Sequence, residues 1–127
     1  MKLLIVDDSS AVYGRLLNLL GGVENLTALS IARSLREVEE KTRTYCPDAA
    51  VLDVQLPDGS GLDAVQAIKL RCPKCRVYIF SNQSEFKPKA IKAGADAFYD
   101  KSLEFEALIV RLTQSDEQGP ESGNGES

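Results

Sequence analysis

Short apolar runs alternate along the chain with longer stretches whose apolar residues recur at helical spacing. The runs are Leu3 to Val6, Thr27 to Ala32, Ala49 to Leu52, Arg76 to Phe80 and Asp96 to Tyr99. Rich in branched and aromatic residues and too short for helices, they predict five strands. Between them lie Ser10 to Leu20, with Val12, Leu16 and Leu19 on one face, and Ser34 to Tyr45, with Leu35, Val38 and Tyr45. A third stretch, Ser60 to Arg71, aligns Leu62, Val65 and Ile68. These spacings predict amphipathic helices. Strands alternating with helices in this way predict an α/β fold, a parallel sheet wrapped by helices.

Local chemistry marks several boundaries. Ser34 followed by Glu37 reads as a capping box, and Gly21-Gly22 closes the first helix. A fourth helix, Lys87 to Ala93, holds Pro88 in its first turn and stops at Gly94, so barely two turns are expected. Ser102 is placed to cap a fifth helix, Leu103 to about Thr113, with Leu108, Ile109 and Leu112 as its buried stripe. Residues 113–127 carry no large apolar side chain to offset the entropy of ordering. The expected organisation is a single domain over residues 1–112, then a disordered acidic tail or linker over 113–127.

Composition narrows the chemistry. The 127 residues are 43% hydrophobic, enough for one buried core. There is no histidine, which excludes a Ser/His/Asp triad, an imidazole base and a histidine-bearing zinc site within the chain. Net charge is −4, but Asp116, Glu117, Glu121 and Glu126 lie in the tail, leaving 15 acidic against 15 basic residues in the first 112. A balanced body lacks the positive footprint of non-specific phosphate-backbone binding, so no direct contact with nucleic acid is expected. No apolar run has membrane-spanning length, and the one at the N-terminus is too short for a signal peptide. The expected location is the cytoplasm.

Ligands of open parallel sheets bind beyond the carboxyl ends of the strands. There the sequence places Asp7 and Asp8 after the first strand, Asp53 after the third, Ser81 after the fourth and Lys101 after the fifth. Three clustered carboxylates repel one another, and a hard divalent cation such as Mg²⁺, taking oxygen ligands, relieves that repulsion. A competing reading gives Asp7 and Asp8 to the N-terminus of the first helix as caps, a task open equally to Ser9 and Ser10.

LLIVDD, VLDVQLPDGSGLDAV, IFSN and AGADAFYDKS stand in the order found in the receiver domain of two-component response regulators. The chain resembles that family from residue 2 to about 112. The resemblance implies a flavodoxin-like (βα)₅ fold with strand order 2-1-3-4-5. It implies Asp53 as phosphoacceptor, with Mg²⁺ held by Asp7, Asp8, Asp53 and the backbone carbonyl of Gln55. It implies Lys101 as the lysine that contacts the phosphoryl group, Ser81 as the switch hydroxyl and Phe98 as the switch aromatic. The donor would be a phosphohistidine on a sensor histidine kinase or histidine phosphotransfer protein, because this chain has none of its own; a small acyl phosphate is the other source. Such a protein promotes its own phosphorylation and dephosphorylation without being a turnover enzyme.

The sequence departs from the family pattern in places. Ser102 stands where most receivers have a proline in a cis peptide, and Asn82 is bulkier than the usual residue after the switch hydroxyl. The interval of twenty residues from Ser81 to Lys101 is short, and Lys87, Lys89 and Lys92 read as a solvated face. The alternatives are a receiver-like interaction module that works unphosphorylated, and an aspartyl phosphatase, which would need an acid/base residue where Gln55 stands. Cys72-Pro-Lys-Cys75 alone is weak evidence for a metal site. Cys46, Cys72 and Cys75 precede the third and fourth strands and belong at the rim opposite Asp53; free, partly buried thiols are expected there. The cognate kinase, output partner, pathway and oligomeric state are not written in the sequence.

Overall fold

The computed structural model describes residues 1–118. Five strands, β1 (Lys2–Val6), β2 (Ala28–Ala32), β3 (Ala49–Leu52), β4 (Arg76–Ser81) and β5 (Ala97–Asp100), form one parallel sheet in the order β2-β1-β3-β4-β5. Five helices cover it: α1 (Ser10–Leu20), α2 (Leu35–Thr42), α3 (Gly61–Arg71), α4 (Lys87–Ala93) and α5 (Phe105–Gln118). This is the single-domain, doubly wound arrangement expected.

The sheet is buried on both faces, which is why its central strands read as unbroken apolar runs. Leu4, Val6, Ala50, Leu52, Val77 and Ile79 pack with Val38 of α2, Val65 and Ile68 of α3 and Ala90 of α4. Leu3, Ile5, Val51, Tyr78 and Phe80 face the other way, onto Leu16 and Leu20 of α1 and Leu108 and Leu112 of α5. On α1 the buried residue is Leu20, one full i+4 step from Leu16; Leu19, expected in the stripe, is 44% exposed. α2 stops at Thr42, short of the expected Tyr45.

The capping box of α2 forms with a shift. Ser34 Oγ accepts the Glu37 N–H at 3.1 Å, whereas the Glu37 carboxylate accepts the N–H of Arg33 at 2.9 Å, one residue before the cap. At α5 the expectation fails. Ser102 does not cap the helix, which begins at Phe105 with the Glu104 carbonyl accepting the Leu108 N–H at 3.0 Å. Asp100 governs the connection instead, its Oδ1 accepting from the Ser102 N–H and Oγ–H and from the Leu103 N–H at 2.7–3.1 Å. Ser102 is thereby turned back towards β5, and Leu103 lies 84% exposed. The helix continues to Gln118, past the expected body boundary at residue 112; the rest of the expected tail, residues 119–127, lies outside the described residues.

The cysteines occupy the expected rim but not the expected state. Cys46 and Cys72 are joined in a disulfide, Cα atoms 5.5 Å apart, and Cys75 alone is free. The reason is tertiary. α2 and α3 lie side by side on one face, so the loop leaving α2 meets the C-terminus of α3.

Candidate functional site

Three of the strands that end at the carboxyl rim, β1, β3 and β5, pass their ladders on to the first polar residue beyond them. The Asp7 N–H donates to the Ala32 carbonyl at 3.0 Å, the Asp53 N–H to Val6 at 2.9 Å and the Lys101 N–H to Ser81 at 3.1 Å. The backbone bonds that complete the sheet therefore also fix where these side chains start.

The side chains converge. One carboxylate oxygen from each of Asp7, Asp8 and Asp53 lies within 4.8 Å of the others. Lys101 Nζ bridges two of them, 2.8 Å from Asp7 Oδ2 and 3.0 Å from Asp53 Oδ2. Asp7 is buried, Asp53 half-buried and Asp8 exposed, so the cluster opens to solvent on the Asp8 side. Helix capping does not use these carboxylates up. Ser9 is the N-cap of α1, its Oγ accepting the Val12 N–H at 3.4 Å, while Asp7 Oδ1 accepts the Ser9 N–H at 2.8 Å.

The electrostatics follow from the burial. Loss of water raises the Asp7 pKa above its ordinary 3.8, and the hydrogen bonds from Lys101 and Ser9 only partly oppose the rise. Burial acts to lower the Lys101 ammonium, but the hydrogen bonds and charges of Asp7 and Asp53 outweigh it and hold the pKa above 10.5. Three carboxylates thus share one ammonium. That residual negative charge and the hard oxygen donors match a small divalent cation, so the residues present fit Mg²⁺.

The remaining sequence candidates sit around this cluster rather than in it. Ser81 ends β4, 1% exposed, and its Oγ accepts the Gln83 N–H at 3.0 Å, which turns it into the loop before α4. Phe98 on β5 is 7% exposed and packs in the core beneath α4. Gln55 lies exposed in a two-stranded hairpin, Gln55–Leu56 against Gly59–Ser60, that the sequence reading did not anticipate. Asn82 is exposed beside Ser81. Among the described residues the peptide bonds are all trans, in keeping with serine after Lys101.

Two positions that sequence reasoning passed over hold the Asp53 loop in place. A Cβ on Gly61 would lie 1.8 Å from the Asp53 carbonyl oxygen, and the Gly61 N–H donates to Val54; only glycine permits that approach. Asp58, at the tip of the hairpin, accepts the N–H groups of Leu35 at 2.8 Å and Arg36 at 3.1 Å. Together with Ser34 it satisfies the first three donors of α2. The Asp58-Gly59 pair signals a turn, but nothing local signals that its carboxylate reaches a helix 22 residues earlier.

The response regulator receiver domain model matches residues 3–113. The chain belongs to the response regulator receiver family. Among curated relatives, this receiver domain is 34% identical over 105 residues to the DNA-binding transcriptional activator DevR/DosR of Mycobacterium tuberculosis, covering 81% of this chain and 48% of the relative. It is 33% identical over 115 residues to the acid tolerance regulatory protein ActR of Rhizobium meliloti, covering 89% and 58%. The receiver therefore spans about half the length of these two relatives. Among solved structures, a CheY-like receiver domain protein from Methanospirillum hungatei superposes with a TM-score of 0.80 at 25% identity, covering 92% of this chain and 94% of that one.

Proposed function

We propose that this receiver domain is a phosphorylation switch in which Asp53 takes a phosphoryl group from a partner phosphohistidine. The observation that carries the reading is the Lys101 ammonium 3.0 Å from Asp53 Oδ2, with Asp7 and Asp8 in the same cluster. An Asp53 oxygen attacks phosphorus, an acyl phosphate bond forms, and the phosphorus–nitrogen bond of the donor breaks with its electron pair passing to the imidazole. Asp7, Asp8, Asp53 and the Gln55 carbonyl would hold Mg²⁺, which supplies neutralisation of the carboxylate and phosphoryl charge when bound. Lys101 keeps a cation against the acceptor throughout. Ser81 would exchange its Gln83 contact for a phosphoryl oxygen, and the space under α4 filled by Phe98 would report that movement.

The donor on this reading is a sensor histidine kinase or histidine phosphotransfer protein, in the cytoplasm, and the functional unit includes the whole of α5. The balanced charge of the body favours a protein partner over direct binding of nucleic acid. Gln55, lacking acid/base chemistry at the second position after Asp53, favours a switch over an aspartyl phosphatase. Incubation with acetyl phosphate or phosphoramidate tests the proposal. Intact mass should rise by one phosphoryl group only with Mg²⁺ present, and not in Asp53→Asn; equal labelling of the variant would remove Asp53 as the acceptor, and no labelling of either protein would instead support an interaction module that works unphosphorylated.

A further inference from the structure

The ends of α2 and α3 are clamped twice at the amino rim. Arg71 Nη1 donates to the Glu39 carbonyl and to Thr42 Oγ1, both at 3.1 Å, and Nη2 lies 3.6 Å from the Glu39 carboxylate. Beside this polar clamp stands the Cys46–Cys72 bond, closing a 26-residue separation that contains β3, Asp53, the hairpin and α3. The two sulfur-bearing residues differ in access. Cys46 is exposed, whereas Cys72 is 2% exposed. Cys75, also 2% exposed, is removed from the chemistry: burial pushes its thiol up to about 12, and its Sγ donates to the Arg76 carbonyl at 3.6 Å. A thiol so rarely ionised is a poor nucleophile at neutral pH.

We propose that Cys46 and Cys72 form a reversible redox site, with exposed Cys46 as the entry sulfur and buried Cys72 as the resolving one. Arg71 holds the two helix ends together independently of the bond, so the reduced thiols stay within bonding reach and the fold does not have to open for closure. In the forward direction the Cys46 thiolate attacks a low-molecular-weight disulfide such as oxidised glutathione, expelling one thiolate and leaving a mixed disulfide. The Cys72 thiolate then attacks Cys46 Sγ and expels the second. The two cysteines lose two electrons and two protons, and the reagent leaves as two thiols. In a reducing compartment a bond of this kind is responsive rather than permanent. Oxidation would then constrain the unfolded chain around the Asp53-bearing segment and stabilise that segment without touching the carboxylates, which lie at the opposite ends of the strands. The site does not rest on the phosphoacceptor reading.

The experiment equilibrates the full chain with glutathione at graded reduced-to-oxidised ratios, quenches with acid, alkylates, and measures intact mass and Tm. A single two-electron transition within cytoplasmic ratios is expected, the oxidised protein melting about 10 °C higher. Cys72→Ser should accumulate one glutathione on Cys46, Cys46→Ser should stay unadducted while folded, and Cys75→Ser should behave as the parent. Cys46→Ser alters an exposed position and keeps the test decisive if Cys72→Ser fails to fold. Absence of closure on oxidation, a bond that survives every ratio, or a bond through Cys75 would overturn the proposal.

Discussion

The two rims of the same sheet handle charge in opposite ways. At the amino rim Asp48 and Asp96 each meet a backbone donor of their own: Asp48 accepts the Lys2 N–H at 2.7 Å, and Asp96 accepts the Val77 N–H at 2.8 Å while pairing with Lys69 at 2.8 Å. Those acids close off strand ends. At the carboxyl rim Asp7, Asp8 and Asp53 face one another with Lys101 between two of them. Folding alone gives no reason to gather three acids around one base, since such a cluster costs stability. One rim is locally satisfied and covalently tied, and the other is left electrostatically incomplete, which suits the proposed acceptance of a cation and a phosphoryl group.

The largest expected effect separates the rims outright. Asp53→Asn should abolish Mg²⁺-dependent phosphorylation, whereas reduction of the Cys46–Cys72 bond should leave its rate within about twofold, because no group at the amino rim touches the acceptor. A rate that collapsed on reduction, measured by intact mass over time, would erase the contrast.

Next in size is Gly61→Ala. A methyl group 1.8 Å from the Asp53 carbonyl oxygen cannot be housed without moving the backbone, and the expected cost is about 3 kcal/mol by urea unfolding, the upper end of overpacking. Mg²⁺ affinity should fall with it. Gly14→Ala is the control: a Cβ there meets nothing within 4 Å, and an alanine inside α1 should stabilise by about 0.5–1 kcal/mol.

How much of this was legible in the sequence follows from how local each cause is. The five strands were legible because burial on both faces writes continuous apolar runs, and Asp7, Asp8, Asp53, Ser81 and Lys101 were placed at the rim by standing directly after them. Leu19 and Leu20 lie one step apart on a helix edge, and only packing against the sheet decides between them. Ser102 looked like a cap, but Asp100, two residues earlier, competed for its N–H and hydroxyl. Cys72 and Cys75 form the obvious pair in sequence; the bond goes to Cys46 because α2 and α3 lie side by side. Asp58 was invisible for the same reason, its partners belonging to a helix that only tertiary structure brings near.

A smaller effect probes the shared ammonium. Lys101→Ala leaves Asp7, buried, beside Asp53 with no cation, and should destabilise by about 2 kcal/mol in Mg²⁺-free buffer at pH 7. The Asp7 pKa is already raised above 3.8 and would rise further. An acid whose folded pKa is raised binds its proton more tightly when folded, so its stabilising contribution is present at low pH and fades as pH climbs through the raised value. The deficit of the variant should therefore shrink as pH falls from 7 towards 4, and Mg²⁺ should shrink it at pH 7. A deficit constant with pH, by urea titration, would mean that Lys101 acts through packing alone.

The smallest effect tests whether the incomplete rim reaches beyond its own carboxylates. Asp58 lies in the hairpin that continues from the Asp53 loop, yet its carboxylate caps α2 through the Leu35 and Arg36 N–H groups. The Leu35 N–H bond holds the Asp58 pKa below 3.8, with Arg36 adding to it. A depressed carboxyl contributes stability above its unfolded pKa and loses it as pH falls through the folded value, so hydrogen-exchange protection at Leu35 and Arg36 should decline below pH 3.8 in the parent protein. Asp58→Ala should lack that protection at every pH, with a Tm loss smaller than that of Gly61→Ala. Ser34→Ala weakens the same helix end through the Glu37 N–H alone and serves as the comparison. If phosphorylation of Asp53 changes the amide shifts of Leu35 and Arg36 in the parent and in Ser34→Ala but not in Asp58→Ala, the hairpin carries the state of the carboxyl rim to α2; equal changes in all three proteins would confine Asp58 to capping.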